Sequence, residues 1–263
     1  MDAHEFYRAG RLAEAIAAMN EEVRKNPADM LRRGFLAELL LVSGNLERAD
    51  VQLDTLAQQD AQAGPSFALL RQIVRAEQAR RQFHAEGRVP EFLGLPTPSM
   101  GLRLRASVAL REGRPQEAST LLDEAEAVRV HTKGTCDGKP FEDLRDLDDM
   151  TADFLEVLTS TGKYYWVPME HVVTVEFRAP TRPRDLVWRR AAMSVKDGPE
   201  GEVFVAAIYP TPAEGVTDAM RLGRVTEWRG GDGVPVRGVG QRTLLVDEEA
   251  RPLVEIREIR VEN

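Results

Sequence analysis

Three groups of residues in this sequence are of the types that do chemistry. The densest is acidic: Glu142, Asp143, Asp146, Asp148, Asp149 and Asp153 crowd one stretch. Clustered carboxylates are what a hard cation requires. The order of an EF-hand loop is missing, because Thr151 and Val157 stand where its glycine and its last glutamate would fall. Charge runs are usually hydrated, so a solvated acidic linker is the expected reading and a metal site its rival. The second group is Cys136 with His4, His84, His131 and His171. None of the histidines pairs with another at helical ligand spacing. Cys136 has neither a CxxC partner nor the glycines of a nucleophile elbow, so it reads as an inert loop thiol unless tertiary contact supplies a histidine. The third group is the glycine-rich run Gly238-Val239-Gly240-Gln241-Arg242, preceded by Arg229-Gly230-Gly231-Asp232-Gly233. A phosphate cradle follows a strand and opens a helix. This run leads into the strand-like TLLVD, so a β-turn is expected. The planar fork of Arg242 suits a buried acid such as Glu227 or Asp185. No nucleophile–base spacing emerges, and no enzyme, cofactor or metal is expected.

The elements that must position these residues fall into two grammars. In the N-terminal half Gly10, Leu12 and Ala15 recur as Gly44, Leu46 and Ala49, an offset of 34 residues, the length of a tetratricopeptide helix–turn–helix unit. Gly113 and Ala118 repeat the interval further on. Leu12, Ala15, Ile16, Met19 and Val23 share one helical face. Asn26-Pro27 reads as an N-cap and first helical residue. The helix to Ser43 is apolar nearly all round and should be buried on most sides. Gly44-Asn45 ends it and caps the next. A long helix spans 65–86, a proline-rich break 87–99, and two more helices follow, the second starting at Pro115. Residues 1–129 are therefore expected to form a tetratricopeptide-like helical domain, and units of this kind stack to hold other proteins.

From about Val130 the pattern becomes short β-branched and aromatic runs between turns. Phe154–Ser160 and Lys163–Pro168 form a hairpin around Thr161-Gly162. Val172–Phe177 and Glu202–Pro210 are further strands. Arg242–Asp247 pairs with Leu253–Glu262, with a bulge at Arg257-Glu258, and a short helix covers 217–222. Residues 130–263 thus form a β-rich domain, a mostly antiparallel sheet or partly open barrel. The whole is an α+β chain.

Composition narrows the partners. The formal net charge of -8 argues against broad binding to nucleic acid. No apolar run reaches the roughly 18–20 residues that cross a bilayer, so no membrane insertion is expected. The N-terminus has acids and no apolar signal core. A single cysteine in 263 residues suits a reducing, cytoplasmic setting.

Several phrases then stand together in order: Gly162–Pro168 (GKYYWVP), Arg184–Trp188 (RDLVW), Leu222–Trp228 (LGRVTEW) and Gly238–Arg242 (GVGQR), after Gly10–Asp29 and Gly44–Asp60 upstream. In these the sequence resembles the ImpE family, also called SciE or TagJ, accessory proteins of bacterial type VI secretion. The resemblance implies a cytoplasmic, non-enzymatic protein. It implies binding to the N-terminal amphipathic helix of the small contractile-sheath subunit, and a link to the AAA+ ATPase that disassembles the sheath. Among the motif residues, Tyr164, Tyr165, Trp166, Arg184, Asp185, Trp188, Glu227, Trp228, Gln241 and Arg242 are expected to be structural, although Trp and Tyr also anchor interfaces.

A captured helix offers apolar anchors along one face. Phe35, Leu36 and Leu40 on one helix, with Phe67, Leu70 and Val74 on another, are the candidate groove, unless all six are core. Arg71 and Arg75 would read acidic residues on the guest. The alternative is a general peptide-binding scaffold or chaperone whose groove takes extended tails.

Overall fold

The structure, a computed structural model, describes residues 1–60, 62–210 and 214–262. The helices α1 (Ala3–Arg8), α2 (Leu12–Lys25), α3 (Met30–Ser43), α4 (Leu46–Gln59) and α5 (Gly64–Glu86) pack each against the next. Local signals set their ends. Gly44 sits at φ 83°, the left-handed geometry that glycine adopts without strain, and Asn45 caps α4 through the Arg48 amide. One expected cap moves: Asn26 closes α2, the chain turns, and the Asp29 side chain caps α3. The apolar helix α3 is buried from Leu36 to Val42, while Leu31 in its first turn is 87% exposed.

The helical stack is interrupted where the prolines cluster. There β1 (Glu91–Phe92) leaves the helices to join the sheet, before α6 (Pro98–Arg111) and α7 (Pro115–Ala127), which pair with each other. Helix gives way to strand between 127 and 134. The strands are β2 (Gly134–Cys136), β3 (Lys139–Phe141), β4 (Leu144–Asp146), β5 (Phe154–Leu158), β6 (Tyr164–Pro168), β7 (Val172–Phe177), β8 (Trp188–Val195) and β9 (Glu200–Ala206). After α8 (Asp218–Arg221) come β10 (Thr226–Gly231), β11 (Val234–Gly240), β12 (Thr243–Val246), β13 (Glu249–Pro252) and β14 (Glu258–Val261).

The large sheet runs β1-β6-β5-β9-β8-β7-β14-β2-β3, and only its β1–β6 pairing is parallel. A three-stranded sheet, β13-β12-β4, and the hairpin β10-β11 complete the described strands. The β5–β6 hairpin forms as its alternation demands. The expected pairing of 242–247 with 253–262 is corrected. β12 turns at 247–248 and pairs with β13; a short 3-10 turn at Leu253–Glu255 then carries β14 away to lie between β7 and β2. The Gly238–Arg242 run is likewise not a turn, since Gly238 and Gly240 lie inside β11, paired with Trp228 and Thr226.

The large sheet is buried on both faces, and side-chain alternation sorts two cores. Phe154, Leu158, Tyr164, Trp166, Trp188 and Phe204 face the helices and share one core with them. Leu155, Val157, Val167, Met193 and Val205 face the other way, into a second core closed by β2, β4, β12 and β14.

Candidate functional site

Glu156 stands on the helix side of β5 between Phe154 and Leu158, fully buried. A lone carboxylate there is untenable without partners, and α5 supplies them. Glu77, Arg80 and His84 recur on one face of that helix. Arg80 donates through Nη2 to Glu156 Oε2 at 2.8 Å and to the Ile208 carbonyl at 2.9 Å. His84 Nε2 lies 3.0 Å from Glu156 Oε1. Arg242, also fully buried, pairs with Glu156 and sits 3.2 Å from Asp146. The aromatic motif residues finish the shell: Tyr164 donates to Glu156 at 2.5 Å, Trp166 Nε1 to the Tyr164 hydroxyl at 2.6 Å, and Trp188 Nε1 to Glu77 at 3.2 Å.

Electrostatics follow from this crowding. Burial acts to raise Glu156, but Arg80, Arg242 and His84 outweigh it and hold the carboxyl well below the ordinary 4.5. Burial lowers His84 below its ordinary 6.5, against the hydrogen bond to Glu156. Burial raises Asp146 to about 6 despite Arg242. The arrangement is a rivet of paired charges between helices and sheet, with its carboxylates already engaged by arginines.

The structure corrects several expectations. Arg242 meets Glu156 and Asp146, whereas Glu227 is exposed and Asp185 accepts from the amides of Thr181 and Arg182. The acidic stretch is not a solvated linker, because each acid faces a base. Asp143 is held by Arg129 at 2.8 and 2.6 Å, Asp148 by Arg237 at 2.9 Å, Asp149 by Arg145 at 3.3 Å, Asp153 by Arg103 at 2.7 Å, and Glu142 by Lys133. Among the described residues no three His, Cys, Asp or Glu side chains come together as a metal would need. Cys136 lies on β2, not in a loop, and burial raises its thiol; His131 faces Asp143 instead.

The helical groove is also filled. Leu36, Leu40, Leu70 and Val74 are core. Phe35 is covered by His4, stacked at 4.0 Å, and by the edge of Tyr7, both from α1; Phe67 packs against the same core. Arg71 is engaged by Asp50 and Asp54 of α4, and Arg75 alone of the pair is exposed. Of the motif residues, Arg184 pairs with Glu38 of α3, the backbone N–H of Gln241 donates to the Val225 carbonyl, and Trp228 is 43% exposed with its ring against Tyr209. Gly238 admits that Tyr209 ring: a Cβ there would sit 2.2 Å from it.

A different apolar surface is partly open, since Leu93, Tyr165 and Val203 are only half-buried beside the second core. Where the second core reaches the sheet surface beside the β5–β6 turn, a hollow of about 270 Å³ is lined by Leu93, Val157, Tyr165, Val167, Met193 and Val203 among others. Only Tyr165 of these appeared among the expected residues. The signal that was available is the strand alternation itself, which puts Tyr165, Val167, Val157 and Val203 on the face away from the helices.

Residues 138–260 match the family model described as ImpE protein. The chain is 34% identical, over 98% of its length and 90% of the relative's, to the type VI secretion system accessory component TagJ of Pseudomonas aeruginosa. The chain belongs to the ImpE family. A crystal structure of a Vibrio parahaemolyticus protein superposes on this ImpE-family fold with a TM-score of 0.92, at 26% identity, covering 99% of this chain and 97% of that one. The family model covers the strand-rich half, while both relatives extend through the helices. No helix among the described residues is long and apolar enough to cross a membrane.

Proposed function

We propose that this ImpE-family chain is a non-enzymatic, cytoplasmic adaptor of a type VI secretion system. It captures the N-terminal amphipathic helix of the small sheath subunit and holds it for the AAA+ ATPase that disassembles the sheath. The secretion role is supported by the 34% identical accessory component. The mode of capture is supported by one observation: beside the buried Val157, Val167 and Met193, the hollow keeps Leu93, Tyr165 and Val203 only half-buried, while the rival groove between the helices is occupied by the protein's own side chains. A guest helix would lay its apolar stripe there, with Tyr165 as the amphipathic anchor.

A fluorescence anisotropy titration with the sheath subunit's N-terminal peptide tests this. The intact protein is expected to bind, and Val203→Asp or Tyr165→Asp to weaken binding about tenfold or more, the usual scale for a buried anchor. Phe67→Ala, on the filled groove, should leave affinity unchanged. Loss of binding with Phe67→Ala but not with Val203→Asp sinks the assignment of the hollow. A guest that still binds after proline substitution in its middle would be an extended tail, and the scaffold alternative would replace helix capture.

A further inference from the structure

On the helix side of the sheet, α5, α8 and the β10–β11 hairpin enclose a cleft of about 650 Å³. Its lining carries Arg80, Arg81, Arg221, Arg229 and Arg237 against a single carboxylate, Glu77. This concentration of positive charge runs counter to the chain's net charge of -8. Two of the arginines are neutralised within the fold, Arg81 by Glu77 at 3.1 Å and Arg237 by Asp148 at 2.9 Å. Two others are not. Arg221 donates to the Ser43 carbonyl at 2.9 Å, and Arg229 to the carbonyls of Glu214 and Gly215 at 3.3 and 2.8 Å. Carbonyls fix a guanidinium in place without cancelling its charge, and among the described residues neither side chain makes a salt bridge. Arg80 is 4% exposed, yet its Nε finds no hydrogen-bond partner among the described residues. Such a buried donor is costly to leave unmet.

We propose that this cleft binds a small polyanion, a ligand bearing clustered phosphate or carboxylate groups. Arg221 and Arg229 are its charge-bearing contacts. The guanidinium fork matches both kinds of oxyanion in two-pronged geometry. Ala85, Pro210 and Val239 provide an apolar wall for an uncharged body. The cleft lies on the face of the sheet opposite the proposed helix-binding hollow, so either assignment can fail without the other.

Isothermal titration calorimetry of the full chain with inorganic pyrophosphate and, separately, citrate tests the proposal. Saturable binding of at least one is expected, and the stronger of the two assigns phosphate or carboxylate. Arg221→Ala and Arg229→Gln should each weaken it by about tenfold or more, consistent with loss of a charged two-pronged contact. Arg24→Ala, exposed and paired with Glu21 on α2, should not change it. Thermal melts of each variant show that the fold survives, and Arg229→Gln serves alone if Arg221→Ala does not fold. The proposal is overturned if neither anion binds saturably, or if Arg24→Ala weakens binding as much as the cleft variants. Binding of an acidic peptide in the absence of any small-anion binding overturns it as well.

Discussion

The seam between helices and sheet and the hollow on the sheet's far face lie on opposite sides of the same two strands, and they are built of opposite materials. On β5 and β6, Glu156, Tyr164 and Trp166 point toward α5 and make a polar network with every carboxylate oxygen of Glu156 engaged. Val157, Tyr165 and Val167 point away; the two valines are buried in the second core, and Tyr165 between them is half-buried and lines the hollow. One residue of register separates them. The difference teaches where each kind of interaction is used. The charged network is buried and engages both oxygens of its central carboxylate, so it holds the molecule together; the hollow keeps half-buried apolar side chains at its edge, so it is free to hold something else.

The largest expected effect breaks the seam. Glu156→Ala removes the anion that Arg80 and Arg242 share and leaves two buried guanidiniums facing one another. Breaking a buried ion pair from one side costs about 3–5 kcal/mol. Urea denaturation should show a midpoint lowered accordingly. We further propose that the helical segment 1–129 and the strand-rich segment 130–263, which share one hydrophobic core, unfold together in the parent protein. Separate transitions by helix-sensitive and tryptophan-sensitive probes would show that the seam does not couple them.

A smaller effect sharpens the same contrast through pH. His84 is held below its ordinary 6.5 by burial. Below pH 6.5 the unfolded chain therefore binds a proton that the folded chain resists, and stability falls as pH drops. Asp146, raised to about 6 by the same burial, works in the opposite direction from pH 6 downward, because the folded state then holds the extra proton. Comparing the parent with His84→Gln isolates the histidine. The stability of the variant relative to the parent should rise as pH is lowered from 6.5 towards 5, measured as the difference in urea midpoints. A difference that stays flat would mean that His84 is as easily protonated in the fold as outside it.

How much of this was legible depends on the range of the interactions. The helices were readable because their signals are local: Gly44-Asn45 stop and start adjacent helices, and the apolar stripe of α2 repeats within a few residues. The hairpin at Thr161-Gly162 is local too. The seam was not readable, since Arg80 and Arg242 stand 76 and 86 residues from Glu156, and spacing along the chain says nothing about pairs brought together by sheet order. A faint mark was present in Phe-Leu-Glu-Val-Leu, where one acid interrupts a run fit only for a strand buried on both faces. The acidic stretch misled for the same reason, because four of its five arginines and its lysine arrive from elsewhere in the chain. The family phrases were recognisable before their purpose was: GKYYWVP is half rivet, through Tyr164 and Trp166, and half hollow, through Tyr165 and Val167.

The smallest expected effect compares two arginines on one helix. Arg71 and Arg80 both lie on α5 and both face two carboxylates: Asp50 and Asp54 for the first, Glu77 and Glu156 for the second. They differ in water. Arg71 is 27% exposed and its partners more so, whereas the Arg80 cluster is dry. Solvent and salt screen the exposed set, so Arg71→Ala should cost no more than about 1 kcal/mol, shrinking further in molar salt. Because its charge is spent on α4, its loss should also leave peptide capture untouched. A larger penalty, or one indifferent to salt, would mean that the α4–α5 contact is as dry as the seam, and the contrast between a charged interior rivet and an ordinary charged surface would not hold.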